Sequence, residues 1–375
     1  MLKTQYNECT GCGLCSYVCP KKCINMIKDD EGFSCPQVDS KKCINCDLCN
    51  KVCPIYNKKV NCDKKSYYLV QLKDEKVLKF CASGGAFYGI AEYFLKNNGV
   101  VYGVSTNSKN ELQYKKVNKI SELIELVGSK YYQCNIDKDI YADIIKETQN
   151  RIVLVSGTPC QISAIKNSLK INLENLYTFE ILCQGVPNDF VIKKYYKELE
   201  KKKNLKIEKH VFRSKDKYVG RNYLNKYIFS NNEIEYFVGE NDPLSLSFQR
   251  QIFLRESCYN CKYACEERVG DFVAGDYWGK DILNKNIKNE NGVSALMCNS
   301  NKADILLNKI DAFNIEANRN ESIFSKNIPF HRSVKRPIFR SFSYKLLKTK
   351  LSPSTVTKIC CCKYYLKKFI KGEKK

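Results

Sequence analysis

The chain has 375 residues, 43% of them hydrophobic, with 63 Lys/Arg against 40 Asp/Glu and a formal net charge of +23. That length allows about two to three domains, and no apolar run approaches the ~18 residues of a membrane span. The basic residues are dispersed, with no helix-turn-helix, zinc-finger or single-strand stacking pattern, so nucleic-acid binding is only a remote alternative.

Residues 1–58 carry two matched cysteine runs: Cys9, Cys12, Cys15, Cys19 followed by Pro20, and Cys43, Cys46, Cys49, Cys53 followed by Pro54. Each reads C-x2-C-x2-C-x3-C-P, the spacing of bacterial two-cluster ferredoxins, in which the fourth cysteine of a run ligates the other cluster. Zinc or a disulfide framework also uses C-x2-C pairs, but two such runs, each closed by proline, point to a pair of [4Fe-4S] clusters. The spacing assigns Cys9, Cys12, Cys15 and Cys53 to one cluster and Cys43, Cys46, Cys49 and Cys19 to the other. Gly11 and Gly13 let backbone amides approach the sulfurs. Between the runs, a strand, a turn at Asp30–Gly32 and a second strand are expected; Cys23 and Cys35 read as small apolar side chains. No apolar segment precedes Cys9, and 22 cysteines without a secretion signal fit a reducing cytoplasm.

After a lysine-rich linker, "SYYLVQL" reads as a strand and "SGGAFYGIAEYFLKNNG" as a glycine-opened helix. "VVYGVS" and "LQYKKV" are strands, while "ISELIELVG" and "KDIYADIIKETQ" are helical. "RIVLVSG" is a buried strand, followed by the turn "GTPCQ" and the helix "ISAIKNSL". "LYTFEILC" is a further strand and "NDFVIKKYYKELEKKK" a helix. Beyond Leu205 the pattern becomes β-rich and irregular. The fold class is therefore an α+β ferredoxin module followed by an α/β domain with a mixed sheet and an irregular β-rich, cysteine-containing C-terminal part. The α/β domain is expected over 66–150 and 151–330.

Cys258, Cys261 and Cys265 form a third group, C-x2-C-x3-C, that could hold zinc or a cluster; beside two clusters, a third [4Fe-4S] centre is favoured. Cys160 and Cys183, at the carboxyl edges of expected strands where ligands gather in open sheets, are candidates for its further ligand. Ser83–Gly84–Gly85 opens a helix and could turn amides toward a phosphate. Thr158 and Pro159 place neighbouring amides at a strand end, a face for a flat ring. Lys130, Arg213 and Lys215 could pair with a diphosphate or an acidic substrate. Trp278 reads as a packing anchor and Asp276 as a turn acceptor. With only His210 and His331, no G-x-S-x-G and no G-x-G-x-x-G, neither a histidine-based nucleophile triad nor a nicotinamide Rossmann domain is legible. No catalytic residue is assigned; Tyr131 and Lys130 are candidate proton donors.

In order, "SGGAF", "GVVYGVS", "GSKYYQ", "SGTPCQISAIK", "CQGVPND", "FRSK" and "CYNCKYACEERVGDFVAGDYWG" resemble the beta-subunit family of the coenzyme F-420 hydrogenases and dehydrogenases, over about residues 1 to 330. That family is similar in turn to the 7-hydroxymethyl chlorophyll reductases. The resemblance implies FAD beside the iron–sulfur clusters, with flavin contacts expected at Ser83, Gly84, Gly85, Ser129, Lys130, Tyr131, Gly157, Thr158, Arg213 and Lys215. The expected function is an iron–sulfur flavoprotein oxidoreductase between a ferredoxin-like donor and a small-molecule substrate or deazaflavin-type coenzyme. The alternative is an electron-transfer subunit whose active site belongs to a partner. Three clusters at about −2 each would lower the net charge to about +17. Residues 335–375 hold 13 Lys/Arg against the single acid Glu373, interleaved with Phe and Leu. This basic amphipathic tail is expected first as a solvated tail with a helix packed on the body, and in the alternative as a docking element for an acidic protein or a membrane surface. Cys360, Cys361 and Cys362 have no assigned role.

Overall fold

The computed structural model describes residues 2–5, 7–61, 63–217, 224–318, 320–362 and 364. In the N-terminal module, β1 (Ile24–Lys28) and β2 (Ser34–Val38) form an antiparallel hairpin. Its turn is set by Asp29, whose carboxylate accepts the N–H groups of Glu31 and Phe33 at 2.8 Å each. Short helices, Leu14–Val18 and Leu48–Lys51, follow the two cysteine loops.

The body is an eight-stranded mixed sheet, as the alternating pattern predicts. Its strands are β3 (Ser66–Leu72), β4 (Val100–Thr106), β5 (Leu112–Val117), β6 (Val153–Gly157), β7 (Leu176–Ile181), β11 (Phe272–Asp276), β12 (Ser294–Cys298) and β13 (Phe313–Asn318). They lie in the order β13-β3-β12-β11-β7-β6-β4-β5. The central four, β11, β7, β6 and β4, run parallel, and antiparallel strands flank them on both sides. Successive residues of the central strands feed opposite faces. Val101 and Leu154 pack on one face beneath Ile90, Ala91 and Phe94 of the helix Ala86–Lys96. Val100, Tyr102, Val153 and Val155 pack on the other, against Tyr141, Ile144, Ala164 and Ile165 of the helices Lys138–Thr148 and Pro159–Lys166.

The β-rich part contributes a separate antiparallel sheet, β10-β9-β8, from β8 (Ile207–Val211), β9 (Leu224–Phe229) and β10 (Ile234–Val238). It packs with the helix Asp189–Lys203 around Tyr195, Tyr196, Tyr227 and Phe229. His210 belongs to this aromatic core, bonded to Tyr196 at 2.9 Å and Asn225 at 3.0 Å. Burial pulls its pKa down to about 3, so it is a neutral packing group.

One local expectation is corrected and two are made more specific. "ISELIELVG" is a 3₁₀ helix, Ile120–Leu126, because its buried residues Leu123 and Leu126 lie three apart and a three-residue turn puts both inward. "GTPCQ" is a helix start: the helix begins at Pro159, and Gln161 Oε1 accepts the Thr158 N–H at 3.0 Å. The described part of the basic tail is packed on the body. Its helices Arg340–Leu347 and Pro353–Cys360 bury Tyr344, Leu347 and Val356 against Phe33, Leu246 and Phe253. Those side chains are unavailable for docking; Tyr365, Leu366, Phe369 and Ile370 lie outside the described residues.

Candidate iron–sulfur and cofactor site

The first cysteine loop is tight. Gly11 (φ +69°) and Gly13 (φ +81°) adopt left-handed conformations, and the Gly11 N–H donates to Cys9 Sγ at 3.3 Å. Burial pushes the Cys12 thiol up to about 12, and the charges of Cys9 and Cys53 push the same way. Cys15 is pushed higher still, first by burial and then by Cys12, Cys9 and Cys53. Cys9, Cys12, Cys15 and Cys53 are thus brought together, the set that crossover ligation requires. Thr4 Oγ1 lies 3.2 Å from Cys53 Sγ. Buried thiols that repel one another as thiolates are a poor apo arrangement and a suitable donor set for a cationic iron core. The second set surrounds its own cavity, lined by Cys19, Cys43, Cys46 and Cys49. Cys23 is more than a small apolar filler: it lines this cavity too, with its Sγ 3.3 Å from that of Cys19. Cys35 is buried, as expected of a small apolar side chain.

The third group is recruited from three places. Cys160 is the second residue of its helix, Cys183 follows β7, Cys258 sits in the 3₁₀ turn Glu256–Asn260, and Cys261 caps that turn. All four line a single cavity of about 1120 Å³, part of it open to solvent. Burial pushes Cys160 up to about 11 and Cys258 to about 12, and the charge of Cys261 pushes each the same way. Cys183 is raised by burial first, then by Cys258, Cys160 and Cys261. Thr158 Oγ1 lies 3.3 Å from Cys160 Sγ, and the Gly185 N–H donates to Cys183 Sγ at 3.4 Å. Among the described residues, no three His, Cys, Asp or Glu side chains close on a single metal ion. The four thiols surround a space, and their donor set fits a cluster.

Cys265 is not part of that cavity wall: its Sγ accepts from Lys58 Nζ at 3.0 Å, while its charge bears on Cys261. The segment from Tyr263 to Cys265 is tied down instead by Arg268, a buried cation that donates to Tyr263 O at 2.7 Å and Cys265 O at 2.9 Å. Arg268 Nε also donates to Glu180 Oε1 of β7 at 2.7 Å, and Glu180 Oε2 accepts the Val269 and Gly270 N–H groups at 3.0 and 2.7 Å.

Arg255, just before this segment, is marked by no spacing in the sequence. It is 3% exposed and joins the module to the body. Nε donates to Cys9 O at 2.6 Å, Nη2 to Ser34 O at 2.8 Å and Nη1 to Gln133 Oε1 at 3.0 Å. A Cβ on Gly11 would come within 2.8 Å of Arg255 Nη1, so this glycine is required by the seam. Tyr141 and Tyr263 bind across the same seam, to Cys12 O at 2.9 Å and Pro54 O at 2.6 Å. Thr10 of the first cysteine loop lines the cavity of the third group.

A large cleft, about 2160 Å³ with its open mouth, lies at the carboxyl ends of β6, β7 and β11, the edge where open α/β sheets bind ligands. Ser83, Gly85, Ser129, Lys130, Tyr131, Gly157, Thr158 and Arg213 all line it. Gly84 and Lys215 do not. A Cβ on Gly84 would stand 2.2 Å from Val70 O, so this glycine is needed for packing between β3 and β12. Lys215 donates to Leu78 O, Ser83 O and Asn291 O at 3.2, 2.7 and 2.7 Å, and so fixes the Ser83 loop from behind. Lys130 binds the carbonyls of Leu126, Val127 and Gly128 at 3.3, 3.0 and 3.2 Å. Burial pulls both lysines down to about 8. Arg213 Nη1 is paired at 2.8 Å with Asp276 Oδ2 at the end of β11, so Asp276 is an ion-pair partner in the cleft wall and not a turn acceptor. Trp278 lines the same wall, half-buried. Cys160 and Cys183 line both the cleft and the four-thiol cavity. The cleft has amides at strand ends, cations and an apolar majority of lining atoms, features that fit a flat ring carrying a phosphate tail.

By fold and site the chain is an iron–sulfur electron-transfer protein, with a two-cluster ferredoxin module seated on a mixed α/β body. Residues 8–57 match the 4Fe-4S dicluster domain, and residues 150–322 match the carboxyl-terminal family of the coenzyme F420 hydrogenase/dehydrogenase beta subunits. The chain thus resembles the beta-subunit family that its motifs indicated. It is also similar to a chain of the F420-reducing [NiFe] hydrogenase complex from Methanosarcina barkeri, at 12% identity and a TM-score of 0.47, over 70% of this chain and 88% of that one. Among the described residues, no helix is long and apolar enough to cross a membrane.

Proposed function

We propose that this protein is an iron–sulfur flavoprotein oxidoreductase. In this reading Cys9, Cys12, Cys15 and Cys53 hold one [4Fe-4S] cluster, and Cys19, Cys43, Cys46 and Cys49 a second. Cys160, Cys183, Cys258 and Cys261 hold a third, and the cleft holds FAD. The observation that carries the proposal is the shared wall: Cys160 and Cys183 face both the four-thiol cavity and the cleft, and the first cysteine loop adjoins both. The first cysteine loop and the four-thiol cavity therefore both adjoin the cleft. Entry is at the second cluster, where Ile44 and Cys46 are exposed, from a redox-protein donor.

Flavin, when bound, converts between one-electron and two-electron chemistry. The chain's own residues supply the rest. Lys215 holds the Ser83 loop, which lines the cleft, through the carbonyls of Leu78, Ser83 and Asn291. Lys130, fixed by three carbonyls, gives the cleft positive charge for a diphosphate or an acidic substrate, and Arg213, its charge balanced by Asp276, presents guanidinium donors. Tyr131, packed on Phe248 and Phe212 at ring separations of 4.9 and 5.8 Å, and Lys130 are proton-bearing groups of the wall. The reacting partner is a small organic molecule or a deazaflavin-type coenzyme.

Protein purified without oxygen should carry about twelve irons per chain, taking four per cluster, and release a yellow flavin on denaturation. About eight irons and no flavin under any loading condition would contradict the proposal and leave an electron-transfer subunit whose active site lies on a partner.

A further inference from the structure

We propose that Cys23 is a fifth thiol of the second cluster's cage, able to replace Cys19 as its ligand. The inference rests on the reading above only for the second cluster's ligand set. Cys23 lines the same cavity as Cys19, Cys43, Cys46 and Cys49, is 3% exposed, and its Sγ is 3.3 Å from Cys19 Sγ. The backbone holds it there. Pro20 and Lys22, the latter at φ +49°, turn the chain back over Cys19, and the Lys22 N–H donates to Cys19 O at 3.1 Å. Cys23 O accepts the Asp39 N–H at 2.8 Å, and the next carbonyl, Ile24 O, accepts Ser16 Oγ at 2.5 Å. The thiol is thus pinned at the cage by the hairpin itself. The internal repeat makes the placement specific: 34 residues on, at the matching position after Cys53, stands Asn57, whose amide donates to Asn50 O at 3.0 Å.

In the native cluster Cys23 stays a thiol within hydrogen-bond reach of the Cys19 sulfur. When Cys19 is removed, Cys23 gives its proton to solvent and its sulfur binds the iron. One Fe–S bond takes the place of another, with no change of oxidation state.

The test is the iron and sulfide content, with the low-temperature EPR of the reduced protein, of the anaerobically purified full chain. Cys19→Ala and Cys23→Ala should each retain the wild-type iron. Cys19→Ala/Cys23→Ala should lose about four irons per chain and one of the two ferredoxin-module signals. Cys46→Ala, at the exposed side of the cage, should lose the same amount alone. Loss of about four irons in Cys19→Ala, with Cys23→Ala intact, would overturn the inference. Wild-type protein without two clusters in residues 8–57 would overturn the underlying ligand assignment instead.

Discussion

Arg255 carries a full positive charge into the seam between the ferredoxin module and the third thiol group. Its charge bears on Cys35 of the module and on Cys160 and Cys258 of the body. A buried cation favours the more negative, reduced state of any cluster beside it. Arg255→Gln should therefore lower the reduction potential of the adjacent centres. A shift of about 59 mV would correspond to a tenfold change in a one-electron equilibrium. Arg255→Lys should keep most of the native potential, and an EPR-monitored redox titration reads both. Equal potentials in all three proteins would assign Arg255 to holding the seam alone. Sequence spacing marks the cysteines because ligation imposes it. It is silent on Arg255, whose three acceptors come from Cys9, Ser34 and Gln133, more than 100 residues away. The same limit explains Lys215 and Gly84: both lie in the right motifs, but their roles depend on which carbonyl or strand stands behind them.

The segment carrying Cys258 and Cys261 has little regular structure of its own. Its continuation, from Tyr263 to Gly270, is held to β7 by the buried pair of Arg268 and Glu180, 2% and 0% exposed. Breaking such a pair from one side leaves an uncompensated buried charge, at a cost of about 3–5 kcal/mol. Glu180→Ala should lose about that much stability in denaturant unfolding of the anaerobic protein, together with iron from the third site. Unchanged stability would show that the segment is held by the thiol cage itself. Elements were legible wherever burial has a period. The strand Val153–Gly157 is apolar on both faces, and the helix Ala86–Lys96 shows its stripe. The third cysteine group was less legible, because C-x2-C-x3-C gives the spacing of three thiols but not their direction. Cys265 bonds Lys58, while Cys160, from the helix after β6, and Cys183, just past β7, line the cavity with Cys258 and Cys261.

On the scale of the molecule, the ferredoxin hairpin and the helix Arg340–Leu347 meet. Arg340 of the C-terminal segment donates to both carboxylate oxygens of Glu31 in the ferredoxin turn, at 2.6 and 2.5 Å, and its tyrosine neighbour Tyr344 packs on Phe33. The module is thereby clasped between body and tail, which fixes the first cysteine loop against the third cavity. This closure left no trace in the sequence, nor did the pairing of β3 with β12 and β13, because such contacts join residues more than 200 positions apart. The mixed sheet was predictable as a class, and its strand order was not.

In the proposed function the third thiol cage bridges the ferredoxin clusters and a flavin in the cleft. The most direct measurement is flavin reduction, followed by absorbance, when a reduced one-electron protein donor is mixed with wild type and with Cys258→Ala. The variant is predicted to keep about eight irons and its bound flavin, to accept electrons into the ferredoxin module, and to leave the flavin oxidised while wild type reduces it. Flavin reduction at the wild-type rate in a variant lacking the third cluster would contradict the account.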